Sequence, residues 1–212
     1  MSLKSFSLFA LGVFALVLVM GIGSAVTLAD WPLTTNAAPI NVAANVNAGT
    51  FTSSGILFNA FGINGANAED WQLTNYVNTS KYFEVTISPQ TGNNLVITNV
   101  NFNYTASITG PASFELRHSK QPSFGSPTSL VTKTDVNTTE KTSSNSGLNI
   151  QVNSGETLTF RWFGYNFNAN TNEFEIQNLN VQGTVTPVQT SVPPEVTSCS
   201  TTGNPGDLDV KG

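Results

Sequence analysis

Residues 81–104 read KYFEVTISPQTGNNLVITNVNFNY, and the spacing of their apolar side chains decides the fold. Phe83, Val85 and Ile87 alternate with Tyr82, Glu84 and Thr86. A period of two puts the first set on one face of a β-strand and the second on the other. Turn residues at 88–94 break the run. Leu95 and Ile97 resume the alternation, which then changes phase before Val100, Phe102 and Tyr104. One extra residue, a β-bulge near Asn99, returns all five to a single face.

The same period recurs outward from this stretch. SFELRHS at 113–119 sets Phe114, Leu116 and His118 against Glu115, Arg117 and Ser119. ETLTFRWFGYNF at 156–167 sets Leu158, Phe160 and Trp162 against Thr159, Arg161 and Phe163. Phe174 and Ile176 give way to Leu179 and Val181, which calls for a second bulge near Asn178. Shorter candidates lie at 28–33, 56–61, 130–133 and 148–152, and no segment after the first 25 residues has a helical period. The expectation is an all-β chain: an antiparallel β-sandwich of jelly-roll type with eight or nine strands. Residues 64–78, with Trp71, read as a long loop or short helix.

The chain divides into three parts. Residues 1–25 carry one cation, Lys4, then an apolar run that ends in the small residues Gly23-Ser24-Ala25, the layout of a cleaved secretory signal peptide. Thr27-Leu28-Ala29 is a second possible cleavage point, and an uncleaved anchor is the alternative. Residues 26–185 form the sandwich, and 186–212, rich in Pro, Ser and Thr, read as a linker or disordered tail. The single Cys199 falls in that tail and has no internal disulfide partner. Net charge is −5, and loss of Lys4 with the leader takes it to −6. Scattered cations form no basic stripe, which argues against nucleic acid and, once the signal is cleaved, against membrane surfaces. Only 10% of residues are charged, so Asn, Thr, Ser and Gln must make the polar surface.

The motifs YFEVTI, LVITNVNF, TGPASFELR, LTFRWFGY and FEIQNLNVQG together resemble a large group of secreted bacterial β-sandwich domains. In that group an aromatic-rich strand and a P-x-x-G-x-x-L turn precede a TGP turn and a strand ending in arginine. The resemblance spans 28–185. It implies a cell-surface or matrix setting and no particular reaction. His118 stands where the group's pattern has a small residue.

Candidates for chemistry are few. His118, the only histidine, has no nucleophile motif near it in sequence and reads as a dispensable strand residue. Arg117 is expected to pair with a group on a neighbouring strand. Glu173 and Glu175, two apart on a strand, read as solvated charge or weak ligands for a structural Ca²⁺; otherwise no cofactor is expected. Trp31, Trp71, Trp162, Phe163 and Tyr165 exceed what one inward face needs, and Trp71, Phe163 and Tyr165 are the candidates for ligand binding. They read either as a sugar-stacking surface or as packing beneath the 64–78 loop. Sequons occur at Asn78, Asn103 and Asn137. The leading expectation is a secreted, non-catalytic domain for adhesion or carbohydrate binding, with polysaccharide or cell-envelope components as partners. The alternatives are a self-assembling subunit of a surface layer or filament, and a sandwich-fold glycoside hydrolase or lyase.

Overall fold

The computed structural model describes residues 24–63, 65–107 and 112–189. Most of the expected leader, the TGP turn and most of the 186–212 tail with Cys199 lie outside the described residues. In chain order the strands are β1 (Val26–Trp31), β2 (Val46–Ala48), β3 (Thr52–Ser54), β4 (Leu57–Gly62), β5 (Gly65–Glu69), β6 (Tyr82–Pro89) and β7 (Asn93–Ala106). They continue as β8 (Ala112–Ser119), β9 (Thr128–Val136), β10 (Lys141–Asn145), β11 (Ile150–Val152), β12 (Leu158–Tyr165) and β13 (Phe174–Pro187). One 3-10 turn, Pro122–Phe124, interrupts them. No helix among the described residues is long and apolar enough to cross a membrane.

Two antiparallel sheets result. In the first, β7 and β13 pair along their length; β10 and β11 share the far side of β7, while β1 and β5 share the far side of β13, with β4 beyond β5. In the second, the order is β2-β6-β12-β8-β9, with β3 beside β2 along β6. The chain passes repeatedly between the sheets, at β6–β7, β7–β8 and β12–β13 among other connections, so the inner faces of both sheets close over one core.

The long strands show why the alternation had to slip. In β13, Gln177 pairs with Asn103 and Asn180 with Asn101, so Asn178 and Leu179 oppose a single residue. Asn178 takes a positive φ of 52° there, a conformation Asn tolerates. In β7 the extra residue is Thr98, between the partners of Gln182 and Gly183. Both bulges keep Leu95, Ile97, Val100, Phe102, Phe174, Ile176, Leu179 and Val181 in the core.

All nine anticipated strands are present, and four short ones join them. The 64–78 segment differs from its reading: its start is β5, held between β13 and β4, and only the remainder is loop. The strand signal is weak because GANAE has no large apolar residue. Small side chains are required here, since a Cβ on Gly65 would collide with the Ile176 carbonyl. Trp71 follows and turns inward, its Nε1 donating to the Ala68 carbonyl at 2.7 Å. Its ring fills the space left by Gly164 of β12, where a Cβ would stand 2.8 Å from the indole.

The free edges are broken. The edge of β6 is covered by two three-residue strands, the edge of β7 is divided between β10 and β11, β4 is kinked by an irregularity at Asn59, and β9 changes register twice. Such interruptions hinder edge-to-edge addition of a second chain.

Phe160 and Trp162 are fully buried in the core. Replacing either with Ala should cost about 3–5 kcal/mol from lost burial and the cavity left behind. Denaturant unfolding of the two variants checks this; a loss below about 1 kcal/mol would contradict the packing.

Candidate functional site

The outward side chains of β6, β12 and β8 carry two of the five ion pairs among the described residues. Arg161 lies between Glu84 and Arg117 in register. Two adjacent arginines would repel. Each is held by its own carboxylate: Arg161 Nε donates to Glu84 Oε2 at 2.6 Å, and Arg117 Nη2 donates to Glu115 Oε2 at 2.6 Å. Glu115 is on Arg117's own strand, two residues back, rather than on a neighbour as expected; side chains at i and i+2 share a face. Burial alone would raise the Glu115 pKa, but hydrogen bonds from Arg117 and Ser129 and the Arg117 charge outweigh it and hold the carboxyl below its ordinary value.

A strap, residues 120–127, folds over this face. Ser123, Phe124 and Ser126 all have positive φ, between 44° and 59°, which non-glycine residues adopt at a cost. The strap is fixed by Ser119 Oγ, which accepts from Gln121 N at 3.0 Å and donates to the Gly125 carbonyl at 2.5 Å. Lys120 reaches Glu156 at 3.0 Å, tying the strap to the turn before β12. Glu156 is held below its ordinary pKa first by the Asn153 backbone N–H, then by Lys120. Phe124 places its ring 4.4 Å from the Arg161 guanidinium, whose other neighbour is Tyr82 at 3.8 Å.

Phe124 and Arg161 partition a trough. On one side about 470 Å³ is lined by Glu84, Lys120, Gln121, Glu156, Thr157 and Thr159 among others. On the other about 240 Å³ is lined by Thr79, Arg117, Pro127 and Phe163. Both are open to solvent. The trough therefore offers one half-buried aromatic ring among donors and acceptors already held in place.

The expected site residues are not brought together. Trp71 is only 1% exposed, packed against Phe83, Phe167 and Phe174, so it is a core residue and not a stacking surface. Phe163 is 0% exposed although it points outward, because Phe124, Tyr82 and Arg117 cover it. The two corrections differ in cause: Trp71, on the loop after β5, turns inward into the core, whereas Phe163 is left bare by its own strand and covered by the strap. Tyr165 remains partly exposed, its pKa raised by burial and by Glu115, and it does not line the trough. Glu84, Phe124, Glu156 and Arg161 were not anticipated; the one sequence signal was an aromatic, Phe124, embedded in the turn-rich QPSFGSP.

Glu175 lies on β13 of the opposite sheet, while Glu173, expected on the same strand, precedes its first residue. Asn59 Nδ2 is 3.2 Å from Glu173 and 2.9 Å from Glu69, and Asn67 Nδ2 is 3.2 Å from Glu175. Amides thus separate these carboxylates, and no group of three or more metal-ligating side chains occurs among the described residues. Asn78 and Asn137 accept backbone N–H bonds in their own turns, from Ser80 and Thr139, while Asn103 sits within β7, bonded to Glu140.

No family model and no curated protein matches the chain. Solved structures with a similar chain path include a carbohydrate-binding module of family 4, at 13% identity over 62% of this chain and 79% of that one, with a TM-score of 0.36. Another is the K2 cleaved adhesin domain of Lys-gingipain, at 14% identity over 73% of this chain and 99% of that one, with a TM-score of 0.33. A third is the CBM22-1–GH10 portion of Clostridium thermocellum xylanase 10B complexed with xylohexaose, at 12% identity over 78% of this chain and 30% of that one, with a TM-score of 0.36. At such scores they add nothing to the sandwich already evident from strand pairing.

Phe163→Ala should destabilise the fold about as much as Phe160→Ala, by roughly 3 kcal/mol or more, and Tyr165→Ala by clearly less; chemical unfolding of the three variants compares them. His118 packs near the Phe160 ring, and burial, then the Lys120 charge, lowers its pKa. The unfolded chain therefore binds this proton more readily, and stability should fall as pH drops below about 6.5. His118→Asn should flatten that part of a melting-temperature profile while leaving the acid limb of the carboxylates in place. An unchanged profile would contradict the assignment.

Proposed function

We propose that this protein is a secreted, non-catalytic β-sandwich that binds carbohydrate at the cell surface or in the extracellular matrix, through the trough beneath the strap. The observation that carries this reading is the placement of the Phe124 ring beside fixed hydrogen-bonding groups: Arg161 and Glu84 on the sheet, Lys120 and Glu156 at the rim. A sugar ring presents apolar C–H faces and a girdle of hydroxyls. The first stack on an aromatic, and the second exchange hydrogen bonds with charged and amide side chains. Because these groups are already paired and the strap is locked by its own bonds, little side-chain freedom remains to be lost on binding.

The interrupted sheet edges weigh against the filament reading.

Affinity gel electrophoresis against a set of soluble polysaccharides tests the reading. Phe124→Ala should weaken retention at least about tenfold, equivalent to roughly 1.4 kcal/mol, with a melting curve that remains cooperative. The same purified secreted protein should begin near Val26 by N-terminal sequencing. Wild-type protein that is retarded by no polysaccharide would sink the proposal.

A further inference from the structure

We infer that the trough selects an uncharged polysaccharide over a polyuronate or sulfated one. This rests on the carbohydrate reading and deepens it. The trough region holds three cations, and each is matched: Arg161 with Glu84 at 2.6 Å, Arg117 with Glu115 at 2.6 Å, Lys120 with Glu156 at 3.0 Å. Glu115 and Glu156 are both held ionised by their partners and by neighbouring hydrogen bonds. Counted together with Glu115, which pairs with Arg117 from just outside the lining, the three cations and three carboxylates cancel, although the trough is dense in donors and acceptors.

An anionic sugar would have either to draw one of these cations from its carboxylate or to set its own charge beside that carboxylate. In the two arginine pairs that carboxylate is itself mostly covered, its side chain 22% exposed for Glu84 and 14% for Glu115. Leaving a partly buried carboxylate without its partner is costly. A neutral diol requires no such exchange. One hydroxyl accepts from a guanidinium or ammonium N–H while another donates to a carboxylate oxygen, and the ion pair stays intact. The charge of the whole chain, −5, adds a long-range repulsion toward polyanions. The Phe124 ring, indifferent to charge, supplies the apolar contact in either case.

The test compares neutral polymers (soluble xylan, mannan and a β-glucan) with polygalacturonate and a sulfated galactan, at about 20 and 500 mM NaCl. Wild-type protein should be retained by at least one neutral polymer, with affinity changing less than about twofold across that salt range, and should not be retained by the polyanions. Glu156→Gln releases Lys120 from its partner at the rim. It should confer salt-sensitive retention on polygalacturonate, at least about fivefold above wild type at low salt. The double variant Lys120→Gln/Glu156→Gln restores neutrality and should lose that gain. Melting curves on both variants establish that they are folded. Wild-type preference for a polyanion, or no gain in folded Glu156→Gln, overturns the inference while leaving carbohydrate binding standing. Retention by no polymer of either kind instead removes the carbohydrate reading itself, and the inference with it.

Discussion

Phe174 of the first sheet stacks on Phe114 and Phe83 of the second, with ring centroids 5.3 and 6.1 Å apart and planes within 30° of parallel. Trp71 meets the edge of this stack at 5.5 Å from Phe174 and 5.0 Å from Phe83. Phe102, Tyr104 and Trp162 extend it along the sandwich. Much else follows from setting two sheets against each other through rings. Large side chains need small neighbours, which is why Gly164 stands near the end of β12 and why the buried residues of β5 are Gly65, Ala66 and Ala68. Each long strand must also keep its rings inward despite the twist of the sheet, and the bulges at Thr98 and Asn178 do this.

The two outer faces solve the opposite problem differently. On the first sheet, amides bond one another and a few acids: Asn99 with Gln182, Asn103 with Glu140, Asn180 with Asp30. That face needs no cover. The second sheet presents Tyr82, Phe163 and two arginines, and a chain segment with three strained residues lies over them. Three of the five ion pairs among the described residues gather there. In a chain with 10% charged residues, this concentration marks the face as different from the rest of the surface.

Local alternation made the long strands legible. Phe83, Val85, Ile87, Phe160 and Trp162 face inward as their spacing required, and the phase changes located both bulges. It could not reveal β5 or the short edge strands β2, β3 and β10. These are paired because a neighbour offers hydrogen bonds, while their own side chains are small or polar. The trough was equally hidden. Its parts come from residues 79–84, 117–127 and 155–163, and alternation within one strand says nothing about what crosses above it.

Sequence by itself determined which residues have two faces, where the chain turns, how few charges it carries and that one histidine has no catalytic motif beside it. Tertiary structure alone decided which outward aromatics are covered. Phe163 and Tyr165 are two residues apart on one strand and face the same way, yet the first is buried and the second partly exposed. The difference is the strap that sets Phe124 against Phe163. Burial is a property of everything within reach of a side chain, and the segment that closes over Phe163 lies some forty residues away in the chain, beyond the range over which a strand's period carries information.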